Sequence, residues 1–238
     1  MKSNARPWIT GPRELLDHGL EHLSKPEDTD FDRRIALISI DNAVELMIKT
    51  YLGQPKRALG IHIPRKRLEE ISNSFPDLLD AIKEYGKDRL GEIDLSDIEW
   101  FHRLRNELYH AGNGLTVEKQ KVLVYAKIAD QLFTNLFEVK PSDQPDKGSI
   151  STFLDKWNEL QSLAAKYAEK HGPKNSYGYQ PQYLVLSSKY SGYEGLRVFR
   201  NNLVHSTSKQ SEADLQKYLR QLNTILEDFR KEVEQDGT

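Results

Sequence analysis

The stretch RIALISIDNAVELMIKTYL, Arg34 to Leu52, decides the fold class. Its apolar residues, from Ile35, Leu37 and Ile38 through Ala43, Val44 and Met47 to Tyr51 and Leu52, recur at three and four positions. They cover a wide face, the pattern of a helix buried on most sides. Two acids, Asp41 and Glu45, interrupt that face one turn apart. On either side of this segment the same helical period continues. It predicts helices over 12–23, with Pro12 in the first turn, over 65–90 with a break near Pro76, and over 97–110 and 117–137. Further on it predicts helices over 153–170, 192–205 and 213–233. Residues 182–188 form a short apolar run that fits helix or strand. The expected fold class is therefore all-α, built as up-and-down helical bundles. KPSDQPDKGS, Lys140 to Ser149, reads as a linker. The expected organisation is a helical domain over 1–139, a linker over 140–149 and a second, shorter helical repeat over 150–238. No counterpart of Ile35 to Leu52 is evident in the second half.

An internal repeat carries the chemistry. SDIEWFHRLRNELYH, Ser96 to His110, aligns without a gap on SGYEGLRVFRNNLVH, Ser191 to His205. Each residue of the second segment lies 95 positions after its counterpart, as Arg200 does after Arg105. Both segments read as starting with a capping box, Ser96 with Glu99 and Ser191 with Glu194. Apolar residues match too: Phe101 with Leu196, Leu104 with Phe199, Leu108 with Leu203. Both end in Arg-Asn-x-x-x-His: Arg105, Asn106 and His110, then Arg200, Asn201 and His205. At about 100° per residue, Arg and His five apart lie roughly 140° from each other and flank the helix. Asn sits one turn below the imidazole. The His falls in the last turn, where the helix dipole favours a cation.

This motif near the end of a bundle's third helix resembles the HEPN superfamily (higher eukaryotes and prokaryotes nucleotide-binding). The preceding long helix, with Asp41 and Glu45, is similar to the second helix of such domains. The resemblance covers most of 12–139 and, in the second half, the motif helix and the one after it. It implies a metal-independent endoribonuclease, with Arg105, His110, Arg200 and His205 catalytic and Asn106, Asn201, Asp41 and Glu45 supporting. In the family, two motifs face each other across a dimer interface. The implied assembly is thus a homodimer or an intramolecular pseudo-dimer. The implied partners are RNA and a protein such as a nucleotidyltransferase antitoxin, in the setting of a toxin or an antiviral effector. The alternative is a non-catalytic module binding nucleotide, RNA or a protein partner.

Composition narrows the classes. The chain has 238 residues, 29% charged and 37% hydrophobic, and a net charge of −2. That balance argues against coating nucleic acid through bulk positive charge. A local basic cluster of Lys56, Arg57, Arg65, Lys66 and Arg67 can still follow a phosphate backbone, or be a solvated loop and helix start. Tyr177, Tyr179 and Tyr183 precede the second motif and can stack on bases or pack locally. With no cysteine, thiolate metal sites, disulfides and a cysteine nucleophile are excluded. The histidines show no metal-ligand spacing with carboxylates, so no metal and no cofactor is expected. No run approaches the ~18 apolar residues of a membrane helix. Met1 to Pro12 lacks the apolar core of a secretory signal, and the expected location is the cytoplasm.

Overall fold

A computed structural model describes residues 7–55, 63–110, 116–139, 148–172, 180–206 and 209–236. Lys56, Arg57, Tyr177 and Tyr179 lie outside them. The described residues form eleven α-helices and no strand. The chain divides into two compact units, Met1–Pro145 and Asp146–Thr238.

Unit 1 contains α1 (Pro7–Ser24), α2 (Asp30–Leu52), α3 (Arg65–Ile71), α4 (Phe75–Tyr85), α5 (Lys87–Leu90), α6 (Leu95–His110) and α7 (Lys119–Phe137). α2 is its axis: Ala36, Leu37, Ile40, Ala43, Val44, Met47 and Ile48 are all fully buried. α1 is already helical at Pro7, and Pro12, expected in the first turn, stands inside the helix. α2 starts four residues before the expected Arg34 because Thr29 caps it. The Thr29 hydroxyl accepts from the Asp32 amide at 3.1 Å and donates to the Asp32 carboxylate at 2.5 Å. Lys25 and His22 reach the other Asp32 oxygen, each at 2.7 Å. Lys25 first, then Thr29 and His22, hold the Asp32 carboxyl far below the usual carboxylate range. The α1–α2 corner is thereby tied by one side chain. The helical stretch expected over 65–90 is three helices. Ser74 caps α4, with Pro76 in its first turn, and Gly86 separates α4 from α5.

Unit 2 contains α8 (Ser149–His171), α9 (Pro181–Lys189), α10 (Tyr193–His205) and α11 (Glu212–Asp236). The ambiguous run over 182–188 is helix α9, with Pro181 in its first turn. The helix expected over 153–170 is α8, which starts four residues earlier, at Ser149, and ends at His171. α8 and α2 each have 23 residues. α8 buries a single stripe of Phe153, Leu154, Trp157, Leu160, Ala164 and Ala168, whereas α2 buries residues around most of its circumference. α8 meets α10 through aromatic rings: Phe153 lies edge-on to Phe199 at 5.3 Å, and Trp157 is stacked with Tyr193 at 5.7 Å.

Gly19 sets how closely α1 approaches α2. A Cβ there would stand 2.7 Å from Ile40 Cγ1 and 3.1 Å from the Ala36 carbonyl oxygen. Gly19→Val should lower unfolding free energy by about 1–3 kcal/mol, the overpacking range. Urea unfolding checks it. An unchanged or raised midpoint would mean that the helices part without cost.

Candidate functional site

The motif helices form where the repeat places them, but neither starts as expected. The Asp94 carboxylate accepts from the Ser96 amide at 2.9 Å and the Ser96 hydroxyl at 2.7 Å, and α6 begins at Leu95. Asp94 lies ahead of Ser96 and carries the charge that a helix N-terminus attracts, so it displaces Ser96 as the cap. In α10 the cap is Gly192, which makes no side-chain bond, and Glu194 pairs with Arg197 at 2.6 Å. A guanidinium one turn on is a stronger partner than a backbone amide. Both helices still end at the motif histidine, α6 at His110 and α10 at His205.

In unit 1 the site rests on Asp41. This residue is fully buried in the middle of α2. Tyr125 of α7 donates its hydroxyl to Asp41 Oδ1 at 2.8 Å. On α6, His102 Nδ1 lies 2.9 Å from Asp41 Oδ2, and Arg105 Nε lies 3.5 Å from the same oxygen. An ionised carboxylate only accepts, so the His102 proton in this contact sits on Nδ1. Phe75 stacks on the His102 ring at 3.7 Å, and Phe101 stacks on Tyr125 at 4.4 Å. Burial, reinforced by the Asp41 charge, raises the Tyr125 phenol well above its ordinary range. It therefore stays protonated and keeps donating.

Arg105 bridges this buried hub and the surface. One terminal nitrogen donates to Asn106 Oδ1 at 2.9 Å, the other to Asn42 Oδ1 at 3.0 Å. A guanidinium has five N–H donors, so these bonds leave donors open. The side chain is 22% exposed. Its Cζ lies 5.3 Å from the centroid of the Tyr109 ring, and that ring lies 6.3 Å from His110. Tyr109 and His110 are both exposed. The last two turns of α6 thus carry a braced cation, an imidazole and an aromatic face. Such a set can hold an anion, move a proton and receive a planar ring.

The other residues singled out from the sequence fall in several places. Glu45 does not join Asp41; it pairs with Lys49 at 2.6 Å, the acid one turn ahead of the base. Arg65, Lys66 and Arg67 are exposed on α3, but Arg65 pairs with Glu69 at 3.0 Å and Arg67 with Glu70 at 3.6 Å. Those acids stand just past the charge run and reduce its net field. In α10 the second motif is less open than the first. Arg200 is only 9% exposed, while Asn201 and His205 are half-buried. Asn42, His102, Tyr125 and Tyr109 were not anticipated as site residues. The available signal was Asp41 itself, since a charge in an apolar face needs buried donors. His102 is such a donor, and Arg105, three residues on along the same helix, brings a cation to the same carboxylate.

A scan against protein-family models, a search of curated proteins and a search of solved structures each find no significant match to this chain. Among the described residues, no group of three or more His, Asp or Glu is placed to hold a metal ion, and no helix is long and apolar enough to cross a membrane.

Removing the Tyr125 hydroxyl tests the hub without removing a ring. Tyr125→Phe should cost about 1–3 kcal/mol at pH 7, because a buried carboxylate oxygen loses its donor. The folded phenol titrates above the unfolded one, so its contribution is complete below about pH 10 and declines above it. The stability gap between wild type and Tyr125→Phe should therefore narrow above pH 10 in denaturant titrations. A gap below about 0.5 kcal/mol at pH 7 would show that the bond is not made.

Proposed function

We propose that the chain is an endoribonuclease of HEPN type, with Arg105 and His110 as the ligand-facing pair. The observation that carries this reading is the C-terminal part of α6: a guanidinium braced by Asp41 and Asn42, followed five residues on by an exposed imidazole in the last turn. RNA brings its own nucleophile. The 2′-hydroxyl attacks the adjacent phosphorus while a base takes its proton. An acid then protonates the departing 5′-oxygen, leaving a 2′,3′-cyclic phosphate and a 5′-hydroxyl. Imidazole suits either proton transfer. The open donors of Arg105 offset the charge that gathers on the phosphoryl oxygens in the transition state. The reaction uses two proton-handling groups, and each motif carries one histidine. His205, or His110 of a second chain, supplies the other.

The burial of Arg200 favours a second reading, in which the protein binds RNA, a nucleotide or a protein partner without cutting. Cleavage assays separate the two. Single-stranded RNA incubated with the protein in EDTA should yield fragments ending in a 2′,3′-cyclic phosphate. His110→Ala should reduce the rate by at least ~100-fold, the usual weight of one general acid or base. Its stability should move by no more than about 0.5 kcal/mol, since the residue is exposed. His205→Ala should be equally damaging if the second motif supplies the partner histidine, and silent if a second chain does. Full activity in folded His110→Ala, or activity abolished by chelation and restored by magnesium, would overturn the ribonuclease reading.

A further inference from the structure

We propose that Tyr109 is the nucleobase-stacking residue of the first motif, seating a base next to the phosphate held by Arg105. The proposal rests on the ribonuclease reading of that motif and adds a contact which decides what the motif prefers to hold. Four large apolar or aromatic side chains are exposed among the described residues: Trp8, Phe31, Tyr109 and Val198. Of these, Tyr109 stands within the last turn of α6, four residues after Arg105 and adjacent to His110. Its ring is 65% exposed, so it contributes little to the core of unit 1.

The ring is nevertheless not loose. The Arg105 guanidinium lies over it at 5.3 Å, and Arg105 is itself fixed by Asp41, Asn42 and Asn106. One end of the aromatic platform is therefore anchored through a cation to a buried carboxylate. Stacking a base on it loses little side-chain freedom, because the ring is already positioned. A guanidinium and an aromatic ring side by side match the two chemistries of one nucleotide, an anionic phosphate and a π-face. A base seated on Tyr109 also comes within reach of His110, whose ring is 6.3 Å from the tyrosine ring. The platform belongs to one motif only. The residue 95 positions on from Tyr109 is Val204, which has no π-face and is fully buried.

The test uses the full chain and an oligonucleotide of about 12 nucleotides, within the usual footprint of single-strand binders. It is labelled with fluorescein and carries 2′-O-methyl groups throughout, so it cannot be cut. A second oligomer of the same length has abasic sugars on the same backbone. Anisotropy titrations compare wild type, Tyr109→Leu and Tyr109→Trp. Tyr109→Leu should weaken binding of the base-bearing oligomer about 10-fold, within the 1–3 kcal/mol range for one stacked base. It should leave binding of the abasic oligomer unchanged, and Tyr109→Trp should restore the base-bearing affinity. Equal affinities for wild type and Tyr109→Leu on the base-bearing oligomer would overturn the proposal. So would an equal loss on both oligomers. Cleavage of unmodified RNA by wild type, run alongside, keeps the two levels apart. If wild type cleaves and Tyr109→Leu binds normally, the stacking role fails and the ribonuclease reading stands. If wild type neither binds nor cleaves, both fail.

Discussion

A single buried carboxylate governs unit 1. Asp41 sits in the axial helix of unit 1, fully buried among apolar neighbours. Taking a carboxylate out of water costs several kcal/mol unless donors replace the solvent. Here three side chains from two other helices surround it: Tyr125 from α7 and His102 from α6 in hydrogen-bond contact, and Arg105 from α6 as an ion-pair partner at 3.5 Å. None of the three can shift by a turn without leaving the charge uncompensated. The register of α6 and α7 against α2 is therefore set by electrostatics as well as by packing. Phe75 and Phe101, flat against His102 and Tyr125, seal the hub.

The consequence for chemistry lies at the surface. Arg105 has its root in the hub and its terminal nitrogens on two amide oxygens, so its position is fixed before any ligand arrives. Pre-positioned charge is what stabilises an added negative charge without reorganisation. His110 and Tyr109, further along the helix, are open to solvent, with the Tyr109 ring held on one side by the Arg105 guanidinium. Unit 2 solves its packing differently. Phe199 stacks on Tyr218 at 4.3 Å, the same Phe-on-Tyr contact that Phe101 makes with Tyr125. It does so from one turn later in the motif helix, since Phe199 aligns with Leu104 and not with Phe101. The repeated motif thus sits on two differently packed helices, one of which buries its arginine.

The helical class was legible because period alone reveals it, and Ile35 to Leu52 has no other reading. The common ends of α6 and α10 were legible because the repeat marks them. Helix starts were not. Asp94 against Ser96 is a contest between two good caps, and Thr29 caps α2 from five residues ahead of Arg34, where local sequence does not say that the helix begins. The short helix α9 was hidden because a run of seven residues fits either period. The site was half legible. Asp41 and Arg105 could be named from the motif, but Tyr125 and Asn42 become neighbours of the motif only through packing, 84 positions from Asp41 in the first case. Glu45, equally placed by helical period, turned instead to Lys49 on its own helix.

The account depends on Asp41 and Arg105 acting as a coupled pair. A double-mutant cycle of Asp41→Asn and Arg105→Gln, read as unfolding free energy, measures that coupling directly. Each single variant should be costly: Arg105→Gln takes the cation from beside a fully buried carboxylate, and Asp41→Asn removes the acceptor of Tyr125 and His102 together with the counter-charge of Arg105. The double variant should cost clearly less than the sum of the singles, by about 1 kcal/mol or more. Additive costs, with a coupling near zero, would mean that Asp41 does not hold Arg105 and that the guanidinium is placed by something else.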